Sequence, residues 1–249
     1  MSKYILELSY DGTDYHGWQM QDNARSVQGV ITDACEQIFQ SEFKLFGCGR
    51  TDTGVHASNF IAHFERDQLP TDFKETLNRI LPNDIRIEEL YCAPEDFHAR
   101  FSAISRTYLY EISQVKPLFN RNFASWDRRE YDVELLNKSC ELVVKTTDFG
   151  AFCKVKSETK TNDCKIMEAQ WIKTDNGLLF KVVANRFLRN MVRAMVGTML
   201  DLGRKKITLT DFENILLSKK RSYAGPSAEA KGLILSKVEY DRTDWKSVC

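Results

Sequence analysis

The order in which two hydrophobic periodicities alternate constrains this chain more than any other feature. Residues 4–10 (Tyr-Ile-Leu-Glu-Leu-Ser-Tyr) alternate with the period of a half-buried strand. Ser26 then precedes Val27, Val30, Ile31, Ala34 and Ile38, an apolar stripe at helical spacing with a ready N-cap, which predicts a helix over about 27–40. Further strands are expected at 43–48, 59–64 and 85–91, with a short helix near 72–80 capped by Thr71 or Asp72. Strand, helix, strand, strand, helix, strand is the split βαβ pattern of ferredoxin-like units. The second half repeats the grammar, with strands expected at 106–113, 164–174, 178–185 and 232–240 and helices at 133–145, 187–202 and 210–218. The expected fold class is α+β: an N-terminal half over 1–104 and a C-terminal half over 105–249, sharing a central, mainly antiparallel sheet with a cleft between them.

Charge narrows the function classes. Lys and Arg together number 35, as do Asp and Glu, so the whole chain is no generic polyanion binder. The distribution is uneven, however. Residues 1–43 hold seven acids against two bases, residues 97–129 six bases against two acids, and residues 181–206 seven bases against one acid. Basic tracts that converge in the fold would make a local phosphate-binding surface; singly, each also reads as a solvated face. The seven cysteines include no pair at two-residue spacing and the four histidines form no ligand motif, so no metal is expected. An odd cysteine count without a signal peptide points to a reducing cytoplasm, and no segment reaches transmembrane length.

Three stretches carry the candidate chemistry. Gly47 to Ala57 (Gly-Cys-Gly-Arg-Thr-Asp-Thr-Gly-Val-His-Ala) sets Asp52 beside Arg50 in a run with three glycines, between two expected strands. Glycines there let the backbone turn tightly and approach a ligand, and an acid on such a loop is a candidate for chemistry. Asp52-Thr53-Gly54 reads equally well as an Asx-type turn. Phe97-His98-Ala99-Arg100-Phe101-Ser102-Ala103, followed by Arg106 and Tyr108, mixes aromatics with arginines, which suits a flipped or single-stranded base and equally suits a strand with buried rings. In the third stretch Leu188, Met191, Val192, Met195, Val196, Met199 and Leu200 form a helical core stripe, with Arg189 and Arg193 one turn apart at its edge. An arginine at such a rim takes a carboxylate partner, for which Asp52 is a candidate, or snorkels to water.

Together these stretches resemble the tRNA pseudouridine synthases of the TruA family, almost from end to end. The resemblance covers Tyr10-Asp11-Gly12 through Tyr15, Gly17-Trp18-Gln19 and Ser26-Val27-Gln28; Gly49-Arg50-Thr51-Asp52 with Gly54-Val55-His56-Ala57; and Phe97 to Ala103 with Arg106 and Tyr108. It continues through Asn185, Phe187-Leu188, Met191-Val192-Arg193 and Gly197 to Gly232-Leu233. The resemblance implies the pseudouridine synthase fold and Asp52 as nucleophile. It further implies Tyr108 against the target base, Arg50 as the residue that helps extrude the nucleotide, and Arg193 paired with the Asp52 carboxylate. Phe97, His98, Arg100, Phe101 and Arg189 are then expected on the substrate, and Arg66 as a second extruding base. The implied substrate is uridine in the tRNA anticodon stem-loop, at positions 38, 39 and 40, converted by a cofactor-free homodimer. Thr53 stands where alanine is frequent in the family, and Lys160 and Lys165 stand where arginines are common.

A carboxylate suits this chemistry because it can add covalently and leave again while a C–N bond is exchanged for a C–C bond. Two other classes compete. An RNA-binding module would need no acid in its binding loop, where Asp52 repels phosphate. A hydrolase of N-glycosides would want a second acid or a positioned water, and no carboxylate near Asp52 in sequence offers itself.

Overall fold

A computed structural model describes residues 1–154 and 160–248, which fall into two compact units, residues 1–104 with 235–249 and residues 105–234. Within the first unit the elements run β1 (Ser2–Tyr10), α1 (Val27–Phe39), β2 (Phe46–Gly47), β3 (His56–Arg66), α2 (Phe73–Ile80) and β4 (Ile85–Ala93). Strand β1 pairs antiparallel with β3 on one side and β4 on the other, and β2 adds antiparallel to β3, so the order is β4-β1-β3-β2. Ile5, Leu6, Leu8, Phe60, Ile61 and Phe64 are fully buried. Tyr4 stacks on Phe64 at 5.4 Å between ring centroids, with Phe43 at 4.9 Å from the same ring.

The second unit holds β5 (Ser105–Ser113), β6 (Ser125–Trp126), α3 (Val133–Lys145), β7 (Ile166–Thr174), β8 (Gly177–Ala184), α4 (Met191–Gly203) and α5 (Leu209–Ser218). Strand β8 lies antiparallel between β5 and β7, and β6 joins β5 in parallel. Asn137 on α3 clamps the sheet: its Oδ1 accepts from the Trp171 N–H at 2.9 Å and its Nδ2 donates to the Trp171 carbonyl at 3.0 Å. The fully buried Trp171 indole packs on Phe180 and donates to the Met199 sulfur of α4. The closing segment carries β9 (Leu233–Glu239) and β10 (Lys246–Ser247). Unlike the sequence reading, which left all of 105–249 in the second half, residues 235–249 belong to the first unit. Its hydrogen bonds give the reason: the Val238 N–H donates to Asn59 Oδ1, the Tyr240 hydroxyl to the Ala99 carbonyl, and β10 pairs with β4.

Three local expectations are corrected. The strand expected at 43–48 contracts to Phe46–Gly47. Asp72 takes a left-handed conformation ahead of α2 and its side chain makes no capping bond. Helix α4 starts at Met191 rather than 187, because Asn190 sits at φ 63° and breaks the turn before it, a conformation asparagine tolerates. None of the six described cysteines forms a disulfide; Cys249 lies outside the described residues. Among the described residues no helix is long and apolar enough to cross a membrane.

Packing of this kind makes a direct stability prediction. Phe60→Ala should lower unfolding free energy by about 3–5 kcal/mol in urea titration. Phe101→Ala, at a ring 75% exposed, should shift it by no more than about 0.5 kcal/mol.

Candidate active site

Asp52 sits in the loop between β2 and β3, half-buried, with Arg50 and Thr53 exposed beside it. The loop is held from behind by the segment that follows β1, almost entirely through main chain. The Gly54 N–H donates to the Tyr15 carbonyl at 3.2 Å and the Trp18 N–H to the Thr51 carbonyl at 3.3 Å. Tyr10 and Thr51 join their hydroxyls at 2.9 Å. The Val55 N–H closes a β-turn on the Asp52 main-chain carbonyl at 3.1 Å, a backbone turn rather than one closed by the Asp52 side chain.

Glycine is required where the two segments touch. A Cβ at Gly17, whose φ is +90°, would stand 2.3 Å from the Thr51 carbonyl oxygen. A Cβ at Gly12 would stand 2.0 Å from that of Val55. In the loop itself Gly47 lies against the Trp18 indole and Gly54 has φ +76°, whereas a Cβ at Gly49 would meet nothing within 4 Å. Two of the three loop glycines are therefore sterically demanded.

The rest of the segment from Tyr10 to Gln28 locks this arrangement. The Trp18 ring stacks on Phe60 at 3.9 Å, with Tyr10 tilted against both. Helix α1 begins on the same loop: the Gln28 N–H donates to the Trp18 carbonyl, Ser26 Oγ accepts from Gly29, and Gln28 Nε2 reaches the Leu45 carbonyl at 2.8 Å. His56 Nδ1 lies 3.0 Å from the Gly12 nitrogen and 3.0 Å from Asp11 Oδ1, tying the start of β3 to the motif after β1.

The aromatic-basic stretch splits by position. Phe97 is a core ring, packed with His63, Tyr240 and Trp245. Phe101 is exposed with the Arg100 guanidinium over it at 5.4 Å, and His98 lies 4.5 Å from the same ring. Two neutral imidazoles hold the turn in place: His63 Nδ1 accepts from the Ala99 N–H at 3.2 Å and His98 Nδ1 from the Arg100 N–H at 3.1 Å. Burial, helped by His98 and Lys3, lowers the His63 pKa to about 4. Burial likewise lowers that of His98. Arg66 is committed elsewhere. Its guanidinium stacks over Phe39 and Phe43 and donates to the Glu42 carbonyl at 2.6 Å, which makes it a brace for the turn after α1.

In the second unit Tyr108 lies on β5 opposite Val182, half-buried, with its ring edge-on to Phe187 at 5.1 Å. Arg106 donates to the Asn185 carbonyl at 2.7 Å, and Asn185 Oδ1 takes the Lys165 N–H. Arg193, on the first turn of α4, donates through Nε to the Ala228 carbonyl at 2.8 Å while its own carbonyl accepts the Ala228 N–H. Arg189 is exposed in the turn before α4, not one turn from Arg193 on a common helix.

Residues 221–228 went unremarked in the sequence, yet they sew this corner together. Asn190 Nδ2 donates to Ser227 Oγ at 2.6 Å, Arg221 reaches Ser227 and the Ala224 and Gly225 carbonyls, and a Cβ at Gly197 would fall 1.8 Å from the Pro226 oxygen. Only Gly225-Pro226 hinted at a turn there. Among the described residues no three His, Cys, Asp or Glu side chains gather as a metal site would need.

Comparison with known proteins gives this geometry a context. A family model described as tRNA pseudouridine synthase matches residues 8–102 and 142–241. The tRNA pseudouridine synthase A of Bacteroides fragilis is 42% identical over 244 residues, covering 96% of this chain and 97% of its own. That of Porphyromonas gingivalis is 41% identical over 249 residues (96% and 98%), and that of Caldicellulosiruptor bescii 39% over 244 residues (96% and 100%).

The His63 geometry sets a pH dependence. Across the window from the ordinary 6.5 down to about 4, the unfolded chain binds a proton that folded His63 refuses. Its contribution to stability is therefore complete above that window and declines as pH falls through it. His63→Gln keeps an acceptor for Ala99 without the titration. Urea midpoints at about pH 7 and about pH 4.5 should lie closer together in the variant than in the wild type.

Proposed function

This chain belongs to the tRNA pseudouridine synthase family, and from that membership we propose that it isomerises uridines 38, 39 and 40 of the tRNA anticodon stem-loop with Asp52 as nucleophile. The observation that carries the reading is the seating of Thr51 and Asp52 against Gly17 and of Val55 against Gly12, which holds a half-buried carboxylate on a fixed main chain. A carboxylate in such a place can add to the uracil or the ribose, hold one fragment while the base turns, and leave when the C–C bond has formed. The proton lost from C5 passes to water.

The other assignments follow from residue type and exposure. Arg50, exposed two residues before Asp52, takes the nucleotide's place in the stack and offsets the few kcal/mol of unstacking. Tyr108 offers a ring whose edge-on contact with Phe187 sets its plane, suited to lie against the extruded base. Arg193 balances the Asp52 charge, its guanidinium oriented by the Ala228 carbonyl. His98, Arg100 and Phe101 meet the flanking RNA, with Phe97 supporting them from the core, and Arg189 supplies a phosphate contact. We assign Arg66 to structure instead. The β4-β1-β3-β2 order of the first unit supports a ferredoxin-like half, and the reading carries the family's homodimer and a cytoplasmic setting with it.

With tRNA transcripts tritiated at uridine C5, the wild type should release tritium to water and Asp52→Asn should release none while binding tRNA within about threefold of wild type. Tritium release by the Asn variant at the wild-type rate would reject the nucleophile, and free uracil as product would move the enzyme to the hydrolases. Arg193→Lys should lower kcat at least about tenfold with little change in KM, since an ammonium cannot keep the Ala228 contact and a second partner in one plane.

A further inference from the structure

A second aromatic-basic surface lies in the second unit, on residues to which no motif was assigned. Trp126 ends β6, and its backbone is fixed: it pairs with Ser113, and the next N–H, of Asp127, donates to the Ser113 carbonyl at 2.9 Å. Trp126 is nevertheless 43% exposed. Lys116 lies 5.8 Å from the ring centroid and Arg128 5.6 Å, both exposed and neither with a carboxylate partner among the described residues. Phe119, on the connecting loop, is 94% exposed.

The nearby acid does not cancel this charge. Burial alone would raise the Asp127 pKa, but the bonds from Arg129 and Tyr131 outweigh it and bring it to about 2, so Asp127 stays ionised within its own pair. An indole flanked by two unneutralised cations matches a ribose-phosphate chain with a base to stack. Tyr108 and Ser113 are five residues apart on β5, so about 17 Å of strand separates the target-base residue from this face. A ligand bound there extends well beyond a single flipped nucleotide.

We propose that Trp126, Lys116 and Arg128 form a second tRNA contact, engaging a part of the substrate outside the anticodon stem-loop. The inference rests on the tRNA reading above. Trp126 offers a stacking face to an unpaired base, and the two cations take the phosphates beside it.

The test compares full-length tRNA with the isolated anticodon stem-loop for wild type, Trp126→Ala, Trp126→Phe and the double variant Lys116→Gln/Arg128→Gln. Full-length affinity should fall about tenfold for Trp126→Ala and recover with Trp126→Phe. The double variant should make the salt dependence of tRNA binding shallower by about two. All three should release tritium from the stem-loop at the wild-type rate. Equal losses with both substrates, or no loss with full-length tRNA, would overturn the proposal. Loss of self-association in sedimentation with unchanged tRNA affinity would instead give the face to a second copy of the chain. Wild-type tritium release from the stem-loop tests the catalytic reading separately, so either can fail without the other.

Discussion

Everything at the Asp52 loop depends on two backbones meeting where no side chain can intervene. The chain after β1 and the chain before β3 come together at Gly12 against Val55 and at Gly17 against Thr51, each closer than a Cβ allows. Main-chain bonds between Tyr15 and Gly54 and between Trp18 and Thr51 then fix the spacing. A peptide group is stiffer than any rotamer, so only the two side-chain torsions of Asp52 remain between that fixed main chain and its carboxylate. The stacked Trp18 and Phe60 rings and the first turn of α1 serve to keep the rear segment from drifting.

The second unit reaches the same end by other means. Arg193 could take many rotamers; its Nε–H bond to the Ala228 carbonyl restrains the side chain, and its own main-chain carbonyl accepts the Ala228 N–H. That residue closes a segment bonded to α4 through Ser227, Gly225 and the close approach of Pro226 to Gly197. Both units thus hold their candidate residue by backbone, one through absent side chains and the other through a bidentate clasp.

The periodicities were legible to within a few residues because each helix and strand turns one face to a core. Val27, Ile31 and Ala34 on α1 are buried as their spacing implies. The tight turn around Asp52 was legible through the glycines of its loop. What escaped has a common cause. The 221–228 segment has neither helical nor strand period, and its meaning lies in bonds to residues some thirty positions away. The early start given to α4 came from extending an apolar stripe back through Asn190, whose left-handed backbone leaves no trace in hydrophobicity. Likewise Phe97 and Phe101 look alike in a string, and only their neighbours make one a core ring and the other a surface one.

Gly49 stands apart from the other glycines of its loop. Its backbone needs no left-handed φ and its missing Cβ would touch nothing. A polar or charged side chain could be acquired there, next to Arg50, without pressing on the carbonyls that carry Asp52. A side chain gained at this position would therefore alter the surface of the loop while the main-chain bonds behind Asp52 stay as they are, a separation of surface from scaffold across three residues of chain.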